Sequence, residues 1–327
     1  TGYIDQYDSN ITLTNGNLAG TFYVNGGPSS AEAGYNKFTL AADATITSDW
    51  GFILYQGPNG NDAYGSTIDI NGTINGTAWV MGNITEGNSV INVNNGATID
   101  GDVFGLNGLA TLNVKAGATI IGAETGIEVR AGNLNVEGGT ITSTSTEYKV
   151  ESNGSGTTTY GAAIAVAQHT TGLPINANIT GGTLSGIKTI SVADPEGGNY
   201  AGVVVTAKDE LTEGEVVIPD GYIWISNNDG TSTLTKAEHG EYVLIDGEDY
   251  PFMNLKSDIS VPEVTYKRSF SEGQINKHQA WFVPMDYTIT ADDAENFTFY
   301  KIQMIAGAAE AGEADHDLIY LYIEPMS

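Results

Sequence analysis

Two stretches decide the fold: Val90–Ile99, VINVNNGATI, and Thr111–Ile120, TLNVKAGATI. In each, apolar and polar residues alternate, a short turn containing Gly follows, and Thr-Ile closes the phrase. Alternation is the mark of a strand with one buried face, and Gly in the turn supplies a backbone bend. The same phrase recurs in both directions along the chain. It reads ITLTNGNL from Ile11, FTLAADATI from Phe38, IDINGTI from Ile68, NLNVEGGTI from Asn133 and NANITGGTL from Asn176. A third short strand follows each pair: TFYV from Thr21, GFILY from Gly51, AWVM from Ala78, DVFG from Asp102, GIEV from Gly126, AAIAV from Ala162 and KTISV from Lys188.

Three short strands per period predict an all-β chain coiled as a right-handed parallel β-helix over residues 1–207, with about seven rungs. The anchor residues Leu13, Leu40, Ile70, Val93, Val114, Val136 and Ile179 are separated by 27, 30, 23, 21, 22 and 43 positions. They are expected on one interior row, with Thr12, Thr39, Asp69, Asn92, Asn113, Asn135 and Asn178 facing outward on the same strands. Seven rungs at roughly 4.8 Å give a stack about 35 Å long.

The 43-residue interval has a local cause. A polar excursion, Ser143–Gly161, precedes the third strand at Ala162. It is read either as a passive solvated insertion or as a binding loop, since long loops of a solenoid often carry binding. The enlarged corner Gln56–Ser66 admits the same two readings.

Past Ala207 the phrase fades. Residues 1–210 hold 19 acids and 6 bases, net −13, and residues 211–327 hold 21 and 6, net −15. Short strands with turns follow, and NNDG at Asn227–Gly230 marks a hairpin. Residues 208–327 are therefore expected to form a β-sandwich-like module that caps the last rung. AGAAEAGEAD, 306–315, is expected to be an acidic loop, because its Gly residues weaken a helix.

The net charge of −28 from 40 acidic and 12 basic side chains argues against nucleic acid as a partner. It argues equally against an anionic membrane surface. No segment reaches the roughly 18 apolar residues of a membrane span. There is no Cys, hence no disulfide and no Cys-ligated metal. With Thr1 first and no charged-then-apolar leader, the chain is read as one whose export signal has been removed.

VTYKRSF from Val264 and WFVPM from Trp281 resemble a pattern of secreted Bacteroidetes proteins, V-T-Y-x-R-x-F followed by W-x-x-P in a C-terminal β-sandwich module. Lys267 and Met285 depart from the usual Thr and Phe. The GGTI and GGTL phrases likewise resemble those of gut-bacterial surface β-helix (pectin-lyase-like) proteins. The resemblance covers about a quarter of the chain at the C-terminus, implies export and surface display, and assigns no catalytic residue.

β-Helices often host polysaccharide lyases and hydrolases, so catalytic candidates follow from the residue types such chemistry needs. Asp100 and Asp102, straddling a Gly corner, could act as acid and base or hold calcium. Arg130, in GIEVRAGN, could abstract a proton; the plainer reading is a surface cation facing out beside Glu128. Arg268 lies outside the repeat. His169, His239, His278 and His316 show no metal-ligand spacing, and Asp292–Asp293 reads as a solvated turn.

Aromatic residues are the remaining signal. Trp50, Phe52, Tyr55, Tyr64 and Trp79 fall on or near third strands of adjacent rungs. Alternation puts Phe52 and Leu54 on one face and Ile53 and Tyr55 on the other. Such rings either fill a wide interior or pack beneath the Gln56–Ser66 corner, or they line a surface that stacks on sugar rings. Trp50, Tyr55, Tyr64 and Trp79 are the ligand-binding candidates. The expectation is a secreted or cell-surface, non-catalytic adhesin or glycan-binding protein, with a glycan or host-surface component as partner and no required cofactor, calcium being possible. The alternatives are a lyase or glycoside hydrolase using Asp100, Asp102 and Arg130, and a spacer without ligand.

Overall fold

The computed structural model describes residues 2–6, 9–25, 36–56, 65–82, 88–153, 156–167, 172–193, 200–236, 241–245, 263–267, 300–307 and 319–325. Every regular element among them is a strand except one short 3-10 turn, Asp209–Leu211, so the fold is all-β and rich in parallel pairs. The chain divides into two compact units, Thr1–Arg268 and Ser269–Ser327.

In the first unit the chain returns at the period of the sequence phrase and pairs in parallel with itself along three ladders. Ladder A aligns Leu13, Leu40, Ile70, Val93, Val114, Val136, Ile179 and Ala207 in one register. Ladder B aligns Leu18, Ile46, Ile74, Ile99, Ile120, Ile141 and Leu184. Ladder C aligns Val24, Leu54, Val80, Leu106, Val129, Val166 and Val192, with Phe22, Phe52, Ala78, Phe104, Ile127, Ile164 and Ile190 beside them.

These rows join one core. Its members from Leu40 to Ile179 on ladder A are fully buried, whereas Leu13, Leu18 and Leu184, from the first and last turns of their ladders, are only partly so. Like stacks on like because a parallel register sets equivalent residues of successive turns side by side. The early turns hold larger fillers: Phe22 stacks on Phe38 at 3.8 Å between centroids, and Phe38 on Phe52 at 6.0 Å.

The outward face of ladder A carries its own order. Asn92 donates to Asp69, Asn113 to Asn92 and Asn135 to Asn113, each amide N–H to side-chain oxygen at 2.9 Å. An amide can donate and accept at once, so the chain of bonds repeats with the turns. Asp69 ends it and pairs with Lys37 at 2.9 Å. Partial burial pushes the Asp69 carboxyl up, but hydrogen bonds from Lys37 and Asn92 and the Lys37 charge outweigh it and hold the group below its ordinary value.

The corners repeat as well. Asn94–Ala97 and Lys115–Ala118 are hydrogen-bonded turns, closed at 3.0 and 3.1 Å. Gly96 and Gly117 sit at their third positions with φ of 83° and 81°, the left-handed conformation that a type II turn reserves for Gly.

The parallel stack ends with a change of direction. Val203–Lys208 pairs in parallel with Ile175–Ile179 on one side and antiparallel with Thr231–Lys236 on the other. Thr231–Lys236 forms a hairpin with Tyr222–Ser226 around the expected turn, where Asn228 has φ 61° and Gly230 φ 86°. Trp224 and Leu234 of this hairpin enter the core. The edge that another parallel strand could extend is thereby taken by an antiparallel one. The boundary expected after Ala207 falls inside the strand Val203–Lys208.

Further along, Glu241–Ile245 pairs in parallel with Glu263–Lys267, which contains the VTYK of the secreted-module pattern. In the second unit Tyr300–Gly307 and Ile319–Pro325 form an antiparallel pair with a register shift between Ile302 and Met304. Trp281–Met285, Arg268, Asp292–Asp293, the four histidines and residues 308–315 lie outside the described residues.

The ladders predict unequal costs for two neighbouring substitutions. Ile120→Ala, which opens a hole in the row of ladder B, is expected to lower the unfolding free energy by about 2–5 kcal/mol. Asn113→Ala, which breaks two amide bonds on a partly exposed face, should cost about 1 kcal/mol. Chemical denaturation of the two variants beside the parent checks both.

Candidate functional site

Ladder C has an outward row opposite its buried one. Register places Asp5, Tyr23, Ile53, Trp79, Gly105, Glu128, Ala165 and Ser191 along it, one from each successive turn. The two halves of this row have opposite fates. From Trp79 onward it is covered; before Trp79 its described residues Asp5, Tyr23 and Ile53 keep exposed or half-exposed side chains.

The cover is the polar excursion. Lys149–Val150 pairs antiparallel with Thr159–Tyr160, folding the insertion back on itself. Beneath it, Glu128 and Arg130 are both fully buried, with Arg130 Nε donating to Glu128 Oε1 at 2.6 Å. The Glu128 carboxylate also accepts from Thr158 N at 2.9 Å, Thr158 Oγ1 at 3.0 Å and Thr159 N at 3.0 Å. The Arg130 guanidinium donates to the carbonyls of Asn153, at 3.4 Å, and Gly156. Its carbon lies 5.3 Å from the centre of the Trp79 ring. Trp79 in turn lies flat across Gly105, where a Cβ would fall 1.1 Å from the ring. Tyr148 Oη bonds Ser191 Oγ at 3.0 Å, holding the far end of the cover on the same row.

This corrects the expectation for Arg130. It does not face solvent beside Glu128; it is a buried ion pair that fastens the insertion to the wall. Its sequence parity is outward, but outward from ladder C at that turn means under the cover. A buried pair survives only when desolvation is offset by many hydrogen bonds, and here both partners have them. Over its described residues the insertion Ser143–Gly161 is solvated only in part: Thr157, Thr158 and Thr159 are buried against the wall, whereas Thr144, Thr146, Glu147, Glu151 and Ser152 are exposed.

The open half of the row forms a shallow groove of about 620 Å³. Tyr3, Tyr23, Trp50, Tyr55, Ile53 and Met81 give it an apolar floor and walls, and Asp5, Thr21 and Asn25 provide polar edges. Tyr23 and Tyr55 stand 6.1 Å apart with a 47° tilt. Trp50 is 41% exposed and Tyr3 71%. Trp50 reaches the surface because the strand Lys37–Gln56 shifts register on both sides of it, against Thr77, where ladder B gives way to ladder C. Burial raises the Tyr23 hydroxyl above its ordinary pKa, and the nearby Tyr55 and Asp5 reinforce the shift.

Of the ligand-binding candidates, the structure brings Trp50 and Tyr55 together in this groove. It places Trp79 one turn beyond, 4% exposed and beneath Arg130. Tyr64 lies outside the described residues. Sequence reasoning did not single out Tyr3, Asp5 and Tyr23. The alternation of TFYV, with Phe22 and Val24 inward, already put Tyr23 outward in the row of Ile53 and Trp79. Tyr3 and Asp5 belong to a strand, Gly2–Gln6, that carries no repeat phrase.

Asp100 and Asp102 are exposed on either side of Gly101. Asp100 stands in register between Asn75 and Ile121, and the Asp102 backbone N–H donates to Thr77 Oγ1 at 3.2 Å. Arg130 is not available to act with them, since its guanidinium is enclosed by Glu128, Asn153, Gly156 and Trp79. Among the described residues no group of three or more His, Asp or Glu could hold a metal ion.

The clamp predicts a specific failure. Glu128→Ala leaves the Arg130 charge buried and should cost about 3–5 kcal/mol. Limited proteolysis should then cut between Tyr148 and Gly161 while the rest of the stack stays resistant, and an uncut loop would show that the pair does not hold it. In comparisons with known proteins, no family model, curated protein or solved structure matches the chain.

Proposed function

We propose that the three ladders are the faces of a right-handed parallel β-helix, followed by a β-sandwich-like module, in a secreted or surface-displayed protein of the kind seen in gut Bacteroidetes. Its role on this reading is non-catalytic: an adhesin or glycan-binding protein whose ligand is a glycan or a host-surface component. The observation that carries the reading is the groove of Tyr3, Tyr23, Trp50 and Tyr55. Aromatic faces exposed to water on a rigid wall suit the C–H faces of sugar rings, and Asp5, Thr21 and Asn25 stand at the edges to meet hydroxyl groups.

The support is geometric. Tyr23, Trp50 and Tyr55 project from strands whose other faces, Phe22, Val24, Phe52 and Leu54, are locked in the core. Their positions are therefore fixed before a ligand arrives, which lowers the cost of binding. The lyase alternative loses its described arginine, because Arg130 holds the covering loop.

The experiment is a screen of the purified chain against a broad glycan array and matrix proteins, with and without calcium. A specific glycan hit is expected, and Trp50→Ala should weaken it about tenfold or more, as loss of a stacking ring does. Trp79→Phe should leave binding unchanged. Silence across the array, or unsaturated products appearing from an acidic polysaccharide, would refute the reading.

A further inference from the structure

The groove has a charge character as well as an apolar one. Asp5 lies in it, is exposed, and forms no ion pair with any described residue. No Lys, Arg or His is among the described residues that line the groove. Elsewhere in the first unit Lys37, Lys115, Arg130, Lys149, Lys188 and Lys208 each sit against a carboxylate, and Lys236, on the strand Thr231–Lys236, is not among the residues that line the groove. The chain as a whole carries −28. A ligand with a carboxylate or sulfate would meet an uncompensated like charge here.

An ammonium group meets the opposite situation. Tyrosine and tryptophan faces attract a cation through the negative centre of the ring. In this groove Tyr23 and Tyr55 form a tilted pair, and register sets Asp5 directly beside Tyr23. An ammonium placed there has ring faces and a carboxylate together. Trp50 remains to stack on the sugar that bears it.

We propose that the groove recognises a sugar carrying a free ammonium, as in a glucosamine unit, in preference to its N-acetylated or carboxylated counterparts. This rests on the glycan-binding reading above and narrows it to a charge class. Burial is the main cause of the raised Tyr23 pKa, and Asp5 adds a smaller share to it.

Non-specific attraction of a cation to an acidic protein is the competing explanation, and one substitution separates the two. Calorimetry with the glucosamine trimer and the N-acetylglucosamine trimer, on the full chain, at a pH where the sugar amine is protonated, reads the preference directly. The free amine is expected to bind about tenfold more tightly. Asp5→Asn should remove that preference, bringing the free-amine trimer down to the affinity of the acetylated one. It removes a single charge of a large excess, so diffuse attraction would hardly change. Trp50→Ala should weaken both trimers alike. Equal affinity for the two trimers, with Trp50→Ala weakening both, overturns the ammonium preference and leaves glycan binding standing. A preference that survives Asp5→Asn overturns it too. Binding of neither trimer overturns it for this groove, and whether the array is also silent then decides the fate of the glycan reading separately.

Discussion

The parallel register is the constraint on which everything else in the first unit depends. Each turn leaves a full row of backbone N–H and C=O groups, and only the next turn can satisfy them. Once equivalent residues lie side by side, a choice made in one turn is imposed on its neighbours. That is why the rows of ladders A and B read Ile, Val and Leu with little variation. It is also why the asparagines of ladder A bond one to the next. The antiparallel hairpin Tyr222–Lys236 matters for the same reason, since it gives the last of these rows a partner that ends the series.

The outward row of ladder C shows how one wall can serve two purposes. Its later half is sealed by an insertion tied down through Glu128 and Arg130, and small residues at Gly105 and Ala165 leave room beneath. Its earlier half, among the described residues, is aromatic and partly exposed. Trp79 stands at the border, stacked under the guanidinium of the sealed half. The clamp thus limits the groove to the first turns and keeps Arg130 from any chemistry. Pairing and enclosure, not position in the chain, decide which polar groups a ligand can reach.

Much of this was legible in the sequence, and the reasons differ by element. The interior row from Leu13 to Ile179 and the outward row from Asp69 to Asn135 followed from a period of two within a longer period, which fixes both face and neighbour. The hairpin at Asn227–Gly230 followed from turn chemistry. Glu128 and Arg130 were misread because parity reports which way a side chain leaves its strand, not what another segment lays over it. The sign that could have corrected this was present: two opposite charges on one short strand, in a row with Gly105 and Ala165, next to an insertion long enough to cover them. Trp50 and Tyr55 were placed on the right strands, but alternation does not say how wide the interior is. It could not tell a filler from a surface ring, and Tyr3 and Asp5 were missed because their turn lacks the repeat phrase.

The central claim is that segments far apart in sequence, held in register by the ladders, make one ligand site. Amide hydrogen exchange with and without a glycan selected on the array tests this most directly. The account predicts that residues 2–6, 21–25 and 50–55 gain protection together on ligand addition, while residues 98–136 are unchanged. Protection centred instead on the insertion between Ser143 and Gly161, or along the asparagine face of ladder A, would contradict it.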